Sequence, residues 1–299
     1  MLDVVIIGSG PAGITAAIYA KRANLNVAVV EKEYLGTGQI AESSRVDNYP
    51  GIPGIDGYSL GEKFREHAES LGVEFTEAQV FSLGQKDGIW IIGCDEDITL
   101  ESKAVIYATG CKNRPLGVPG EEKYYGRGLS FCAVCDGAFY KGKSVAVIGG
   151  GDTALDDAMY LSDICEKVYL VHRREFFRGS ASTLEKLKQK ENVEIIVNVR
   201  VEEITGDKKI DGIILDNKTK LNISGLFAAV GMVPQTELLK EFGVLDESNY
   251  VKASEDTKTT VNGLFAAGDV RTKQLRQVVT AAADGANAIY SVMEYLRNI

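Results

Sequence analysis

The amino-acid sequence predicts an α/β protein in which one βαβ unit occurs twice, and three observations support this fold class. The chain has 299 residues, which is enough for two domains of about 100–200 residues each. A β-branched run, a glycine-rich turn and a helical pattern follow one another in two segments that align at a constant offset of 141 residues. Each half also ends in a short buried-strand pattern that runs into a glycine.

The composition is that of a globular protein, with 45% hydrophobic and 25% charged residues. The net charge of −9 provides no basic surface for a phosphate backbone, so nucleic acid is not expected as a partner. The nearly uncharged segment 4–20 could be mistaken for a signal peptide or a membrane span, but Asp3 precedes it and three glycines interrupt it. We therefore expect a cytoplasmic protein with no membrane partner.

The two glycine-rich turns predict two dinucleotide sites. In such a turn the first glycine makes the tight bend, the second lets the backbone approach a pyrophosphate, and the third small residue lets helix and strand pack closely. The helix then presents its unpaired N–H groups to the phosphates. One such turn is weak evidence, whereas two in matching register are strong evidence. The candidate residues are Gly8, Ser9, Gly10, Pro11, Ala12 and Gly13 in the first copy and Gly149, Gly151, Asp152, Thr153 and Ala154 in the second.

The end of the second strand in each copy distinguishes the two nucleotides. In the first copy it is Glu31, whose carboxylate can accept hydrogen bonds from a ribose hydroxyl. The second copy has His172 at the equivalent place, followed by Arg173, Arg174 and Arg178. A carboxylate repels a 2′-phosphate, whereas guanidinium groups bind it. We therefore predict FAD in the first site and NADPH in the second; the alternative is that these arginines are only the solvated start of a helix.

The closing strands predict that the second domain is inserted into the first. Buried-strand patterns end near Gly110 and Gly231, and a third strand and turn at 260–269 precede an Ala-rich helix that should run from about Gln274 to Leu296. The predicted domains are a FAD domain made of residues 1–114 and 241–299 and an NADPH domain at 115–240, joined by hinges near Arg114-Pro115 and Pro234-Gln235.

The chain has five cysteines, and only Cys132 and Cys135 are closely spaced. A Cys-x-x-Cys pair can be half of a metal site or a redox dithiol. Because no second ligand pair exists and two dinucleotide sites accompany the pair, we favour the redox dithiol and expect no metal. Asp136 follows directly and could transfer protons. The remaining cysteines, Cys94, Cys111 and Cys165, are interpreted as buried structural thiols.

The motifs, taken in order, resemble those of the low-molecular-weight thioredoxin reductases of bacteria nearly from end to end. The motifs that carry this resemblance are the two glycine-rich turns, Gly38-Gln39, Ala108-Thr109-Gly110, Cys132-Ala133-Val134-Cys135-Asp136-Gly137, His172-Arg173-Arg174 with Arg178, and Gly268-Asp269.

The resemblance implies roles that spacing alone does not give. Cys135 would lie next to the flavin, Cys132 would attack the disulfide of thioredoxin, and Asp136 would be the acid/base. The family's FAD and nicotinamide contacts fall on Gln39, Asn48, Asp269, Arg276, Gln277 and Val278, and its thioredoxin-docking positions fall on Arg127 and Phe139. The family is also homodimeric, so a homodimer is expected here.

Three positions depart from the family pattern. Thr37 replaces the first glycine of a Gly-Gly-Gln sequence, Val278 stands where alanine is usual, and Gly179 follows Arg178 where alanine is common. The first two could alter flavin contacts, and none removes a catalytic group.

Two alternative functions stay open at this point. One is a related reductase that serves a peroxiredoxin, a glutaredoxin-like protein or a small disulfide. The other is a redox sensor that binds nucleotides without turnover. The order of the motifs also places the dithiol and the NADPH turn in the same inserted domain, from which we predict a hinge motion of that domain.

Overall fold

The computed structural model describes residues 1–33, 36–43 and 45–299 and confirms the α/β fold class. The chain forms two compact units: unit 1 consists of Met1–Lys112 and Val233–Ile299, and unit 2 consists of Asn113–Met232. Unit 2 ends before residue 240, where the sequence placed the boundary, because Leu239 is fully buried in a hydrophobic cluster of unit 1.

Unit 1 contains a seven-stranded sheet. Its strands are β1 (Leu2–Ile7), β2 (Val27–Glu31), β3 (Glu74–Glu77), β4 (Val80–Lys86), β5 (Ile89–Cys94), β6 (Thr99–Tyr107) and β17 (Leu264–Ala266). The strand order is β3-β2-β1-β6-β5-β4, with β17 paired to β6. The strands β1, β2, β3, β6 and β17 run parallel to one another, whereas β5 is antiparallel to both β6 and β4.

Three helices accompany this sheet: α1 (Pro11–Arg22), α2 (Gly57–Ser70) and α6 (Val278–Leu296), with short 3-10 helices at Gln39–Glu42, Glu237–Phe242 and Gly268–Val270. The helices α1 and α6 pack so closely that a Cβ atom on Gly285 would collide with Ala12 O. Helix α6 begins at Val278, later than the sequence predicted, because Gln277 and Thr280 form a capping box there.

Unit 2 contains a five-stranded parallel sheet of β8 (Leu129–Ser130), β9 (Ser144–Gly149), β10 (Lys167–His172), β11 (Val193–Val197) and β15 (Gly225–Ala229). The strand order is β11-β10-β9-β15-β8. The helices of this unit are α3 (Ala133–Asp136), α4 (Asp152–Ser162) and α5 (Ala181–Lys188), with 3-10 helices at Glu121–Tyr124 and Gly137–Tyr140. An antiparallel sheet of β12 (Val201–Thr205), β13 (Gly212–Leu215) and β14 (Lys220–Asn222) completes the unit.

The chain crosses between the units at β7 (Cys111–Asn113) and β16 (Met232–Pro234), which pair as a two-stranded sheet. Among the helices of the described ranges, none is both long and apolar enough to cross a bilayer.

Candidate functional site

The first glycine-rich turn connects β1 to α1. Close packing within the protein requires glycine at its first and third glycine positions, Gly8 and Gly13. Gly8 has a φ of +103°, and a Cβ atom there would lie 2.5 Å from Ala108 O. A Cβ atom on Gly13 would collide with Gly8 O. These two close approaches hold the turn against β6 and hold α1 against the turn.

The middle glycine of this turn borders open space instead. A Cβ atom on Gly10 would have no neighbour closer than Thr37 O, at 3.9 Å. Among the described residues, no side chain caps the N-terminus of α1, so the first N–H groups of the helix have no side-chain acceptor there. Open space beside uncapped amide donors fits a pyrophosphate group.

Glu31 ends β2 and is fixed beside the turn. Its Oε2 accepts hydrogen bonds from Ser9 N–H at 2.9 Å and from Ser9 Oγ at 2.8 Å, and its Oε1 accepts one from Glu33 N–H at 3.2 Å. The carboxylate therefore stays in place at the strand end, where a ribose hydroxyl can reach it.

Several other predicted FAD residues converge on the same turn. A Cβ atom on Gly38 would lie 3.1 Å from Gly10 Cα, and one on Gly268 would lie 2.9 Å from Ala12 Cβ. Thr109 Oγ1 donates a hydrogen bond to Gln235 O at 2.8 Å, next to Gly110. The segments around 38, 108 and 268 therefore surround the start of α1.

Asp269 carries a buried polar atom without a partner. Its Oδ1 atom is buried and has no hydrogen bond within the described part of the chain. Burial raises the pKa of this carboxyl, and the nearby charges of Lys273 and Arg276 oppose that effect. An unsatisfied buried acceptor is costly to leave unpaired, so this oxygen is best explained by a hydroxyl group of a bound molecule.

The turn that carries Asp269 is held by a buried ionic cluster that sequence reasoning missed. Asp284 accepts hydrogen bonds from Gly268 N–H at 2.8 Å, from Lys273 Nζ at 2.9 Å, and from Arg271 at 2.9 and 2.7 Å. Asp284 and Arg271 are each only 2% exposed. The one available sequence signal was an acidic residue within an Ala-rich helix.

Gln277, Asn48 and Arg276 lie near the start of α6. Asn48 Nδ2 donates a hydrogen bond to Gln277 Oε1 at 2.7 Å. The Arg276 guanidinium lies 4.2 Å from the centre of the Tyr250 ring and donates from Nε to Asp269 O at 3.3 Å. Val278 follows as the half-buried first residue of the helix, and Gln39 begins the 3-10 helix after Gly38.

The second glycine-rich turn, in unit 2, resembles the first: one glycine is closely packed and another borders open space. A Cβ atom on Gly149 would lie 2.7 Å from Ala154 Cβ, so strand and helix meet there. A Cβ atom on Gly151 would meet nothing within 4 Å, and α4 has no side-chain cap. Thr153 is exposed on the first turn of α4. The space beside Gly151 therefore fits a second pyrophosphate.

His172 and the three arginines follow this turn at the end of β10. The His172 ring is buried against Gly150 and stacks on Phe177 at 4.9 Å. Burial lowers the pKa of His172, so the ring is neutral at physiological pH. The guanidinium groups of Arg173, Arg174 and Arg178 are exposed and form no ion pair with a described carboxylate. These cations are available to an external anion.

Cys132 and Cys135 form a disulfide at the start of α3. Cys132 occupies the N-cap position, where its Sγ accepts a hydrogen bond from Cys135 N–H at 3.2 Å. That donor would also stabilise a Cys132 thiolate after reduction. Both cysteines are partly exposed.

Asp136 is connected to the disulfide through Ser130, a residue that sequence reasoning missed. Ser130 Oγ donates to Asp136 Oδ2 at 2.6 Å and accepts from Cys132 N–H at 3.1 Å. Burial raises the pKa of Asp136, and the hydrogen bond from Ser130 lowers it in part. The carboxyl is thereby suited to hold a proton, and Ser130 links it to the backbone of Cys132.

The other three cysteines, Cys94, Cys111 and Cys165, are buried free thiols. Burial raises the pKa of Cys111 to about 12 and that of Cys165 to about 11, so both stay protonated at neutral pH. No group of three His, Cys, Asp or Glu side chains in the described ranges could hold a metal ion.

Comparison with known proteins agrees with this arrangement. A family model described as pyridine nucleotide-disulphide oxidoreductase matches residues 2–285. The chain is 38% identical over 305 residues to thioredoxin reductase of Bacillus subtilis strain 168, covering 99% of this chain and 95% of that protein. It is 40% identical over 301 residues to a 34.2 kDa protein in the rubredoxin operon of Clostridium pasteurianum, covering 99% and 97%. The crystal structure of thioredoxin reductase from Streptococcus pyogenes superposes with a TM-score of 0.93 at 40% identity, covering 100% of this chain and 99% of that chain.

Proposed function

The chain belongs to the pyridine nucleotide-disulphide oxidoreductase family, and on this basis we propose that it is an NADPH-dependent, FAD-containing thioredoxin-disulfide reductase. The observation that carries this proposal is the Cys132–Cys135 disulfide beside Asp136, in a unit that has its own dinucleotide turn and three exposed arginines without an ion pair to any described carboxylate. Relatives with that name match nearly the full length of this chain.

FAD would be held in unit 1. Gly10 and the first N–H groups of α1 would receive the pyrophosphate, Glu31 a ribose, and the unpaired oxygen of Asp269 the ribityl chain. Bound FAD supplies a hydride acceptor that links a two-electron nicotinamide donor to the disulfide. The protein's own contribution is to fix these contacts before the cofactor arrives.

NADPH would be held in unit 2. The space beside Gly151 would receive its pyrophosphate, and the exposed guanidinium groups of Arg173, Arg174 and Arg178 would bind the 2′-phosphate. NADH lacks that phosphate and would lose those contacts.

The dithiol would then reduce the partner. Two electrons and one proton break the Cys132–Cys135 bond and leave a Cys132 thiolate and a Cys135 thiol. The Cys132 thiolate, supported by Cys135 N–H, attacks the partner's disulfide and forms a mixed disulfide, and the partner's other sulfur leaves as a thiolate. Asp136 supplies the proton to that leaving sulfur and takes one from Cys135. The Cys135 thiolate then attacks Cys132 Sγ in the mixed disulfide, which closes the internal disulfide and releases the partner's second sulfur as a thiolate that takes up a proton from water.

A coupled assay tests the proposal. Purified holoprotein is given NADPH or NADH with thioredoxin and a small terminal disulfide, and coenzyme oxidation is followed by absorbance. We expect thioredoxin-dependent oxidation of NADPH, little oxidation of NADH, and no thioredoxin reduction by Cys132→Ser or Cys135→Ser, although NADPH still reduces the flavin in both variants.

The same assay separates the alternatives. Turnover only with a peroxiredoxin, a glutaredoxin-like protein or a small disulfide would identify a related reductase with another partner. Binding of both nucleotides without turnover on any disulfide would indicate a sensor and contradict the proposal. The homodimer, the cytoplasmic location and the docking roles of Arg127 and Phe139 remain predictions from the resemblance.

A further inference from the structure

The three arginines of the proposed NADPH site lie on a loop at 173–180, between β10 and α5. All three side chains are exposed, and none of them forms an ion pair with a described carboxylate. A flexible cationic loop would meet a 2′-phosphate in many arrangements and would lose much side-chain freedom on binding. Discrimination between NADPH and NADH therefore depends on what fixes the backbone of this loop.

Backbone contacts fix both ends of the loop on the glycine-rich turn. At its start, the His172 ring packs against Gly150 so closely that a Cβ atom on Gly150 would collide with the ring. At its end, Arg178 N–H and Gly179 N–H both donate to Gly150 O, at 2.7 and 3.2 Å. The loop therefore holds Gly150 from two sides.

Gly179 brings the loop into direct contact with the start of α4. A Cβ atom on Gly179 would lie 2.8 Å from both Asp152 N and Gly151 C. The family pattern leads us to expect alanine here, and glycine allows the loop to lie closer to the helix. Immediately after it, Ser180 N–H donates to Asp152 Oδ1 at 2.7 Å, and Ser180 Oγ caps the start of α5.

Asp152, one of the predicted residues of the second dinucleotide turn, brings a negative charge to this place. A carboxylate in the first turn of a helix favours the helix dipole but opposes the binding of a phosphate there. Its charge therefore works against the proposed pyrophosphate site, whereas its Oδ1 atom serves as the acceptor that joins α4 to the end of the arginine loop. The acceptor role accounts for the residue better than a direct nucleotide contact does.

Building on the proposed coenzyme site, we propose that Asp152 is a positioning residue for the 2′-phosphate. Through Ser180 N–H it holds the end of the loop, and with it Arg178, at a fixed distance from the pyrophosphate-binding turn. Its carboxylate does not contact the 2′-phosphate. Selectivity for NADPH is thus set partly by an acidic side chain that acts on the backbone of the arginine loop.

Calorimetric titration of the full-length holoprotein with 2′,5′-ADP and with 5′-AMP tests this proposal without turnover, since the two probes differ only in the 2′-phosphate. Asp152→Ala removes the acceptor, and Asp152→Asn keeps an Oδ1 acceptor without the charge. In Asp152→Ala we expect 2′,5′-ADP to bind about tenfold more weakly, the size expected for one hydrogen bond to a charged group. Binding of 5′-AMP should stay the same or become tighter, because a repulsive charge is lost.

Asp152→Asn should retain the wild-type ratio of the two affinities, and both probes should bind somewhat more tightly. Asp156→Ala is the matched control, because it removes an exposed carboxylate from the same helix and should leave the ratio unchanged. In steady state, Asp152→Ala should raise KM for NADPH with kcat unchanged, and KM for NADH should stay the same or fall because a repulsive charge is lost.

The outcomes separate this proposal from the proposed function. If the wild-type protein does not prefer 2′,5′-ADP, the assignment of the NADPH site is wrong. If it does prefer 2′,5′-ADP and Asp152→Ala keeps the full preference, only the positioning role is refuted. An equal loss for both probes in Asp152→Ala, or the same loss in Asp152→Asn, would also refute it.

Discussion

The proton transfer proposed at the dithiol would depend on two residues, Asp136 and Ser130. Burial raises the pKa of Asp136, and the Ser130 hydrogen bond to its carboxylate opposes that shift. Asp136 acts as an acid only while protonated, so the rate of disulfide exchange should fall as pH rises through its pKa. Ser130→Ala removes the opposing hydrogen bond and should move that fall to higher pH.

Single-turnover reduction of thioredoxin by the pre-reduced enzyme, measured across a pH series, checks this prediction. Asp136→Asn is the control, because it cannot titrate and should lack this pH dependence. An identical pH profile in Ser130→Ala and wild type would show that the serine has no influence on the carboxyl. Loss of rate at every pH without a shift would point instead to a structural role for Ser130.

Residues such as Ser130, Asp284 and Arg271 could not be assigned a role from the sequence alone. The Cys-x-x-Cys pair and the glycines were found because their function requires a fixed local spacing. Ser130 has no such rule, since a single serine before a cysteine occurs in many settings. Asp284 and Arg271 are separated by a strand-free turn and half a helix, and only the folded chain brings their side chains to 2.7 Å. A side-chain cluster that forms only through tertiary contacts leaves no periodic pattern in the sequence.

At the scale of elements, helix α2 packs closely against Thr37, in the segment before Gln39. Thr37 is 5% exposed, and a Cβ atom on Gly61 of α2 would lie 2.7 Å from Thr37 Cβ. The threonine that departs from the family pattern is thus accommodated by a glycine on the facing helix. Gly61→Ala should overpack this contact and cost about 1–3 kcal/mol in the free energy of unfolding.

Thermal and denaturant unfolding of the holoprotein measure that cost. The double variant Thr37→Gly/Gly61→Ala removes the colliding side chain and should recover most of the lost stability, because the two sites are directly coupled. Additive losses in the double variant would mean that the two residues do not limit each other.

The βαβ elements themselves were predictable from local pattern. β1 and β9 are runs of buried β-branched residues, and each ends at a glycine that must bend toward a helix. The boundary of unit 2 was less predictable. The segment Glu237–Phe242 has no strong pattern of its own, and it belongs to unit 1 because Leu239 completes a hydrophobic cluster there. The unit that such a short segment joins depends on the hydrophobic cluster against which its buried side chain packs.

At the scale of the whole molecule, the residues proposed for the redox chemistry are distributed over the two units. The dithiol and the arginine loop belong to unit 2, whereas Glu31 and Asp269 belong to unit 1. In the proposed function, the dithiol must receive electrons from a flavin held by unit 1 and must then be accessible to a protein, and the coenzyme held by unit 2 must also reach that flavin. A single fixed arrangement of the two units would have to satisfy all of these requirements at once. Two alternating arrangements can satisfy them in turn, which favours the predicted hinge motion of unit 2.

Two glycines with positive φ angles precede the crossing segments, close to the predicted hinges. Gly110 precedes β7 with a φ of +65°, and Gly231 precedes β16 with a φ of +103°. A Cβ atom on either would meet nothing within 4 Å. These glycines are therefore required by the backbone conformation and not by close packing, as expected of hinge positions.

Cross-linking the two units tests this motion. One exposed residue in each unit is replaced by cysteine, and the pair is joined by a short bifunctional maleimide while the native dithiol is kept as its disulfide; Cys94, Cys111 and Cys165 are buried and protected. Whichever arrangement is trapped, the protein should retain one half-reaction, flavin reduction by NADPH or electron transfer from reduced flavin to the disulfide, and should lose the other. Steady-state turnover should then fall to a small fraction of that of the same variant treated with a monofunctional maleimide. Normal turnover in a fully cross-linked sample would show that the units need not move, and the dithiol would then have to reach both the flavin and its partner protein from a single arrangement.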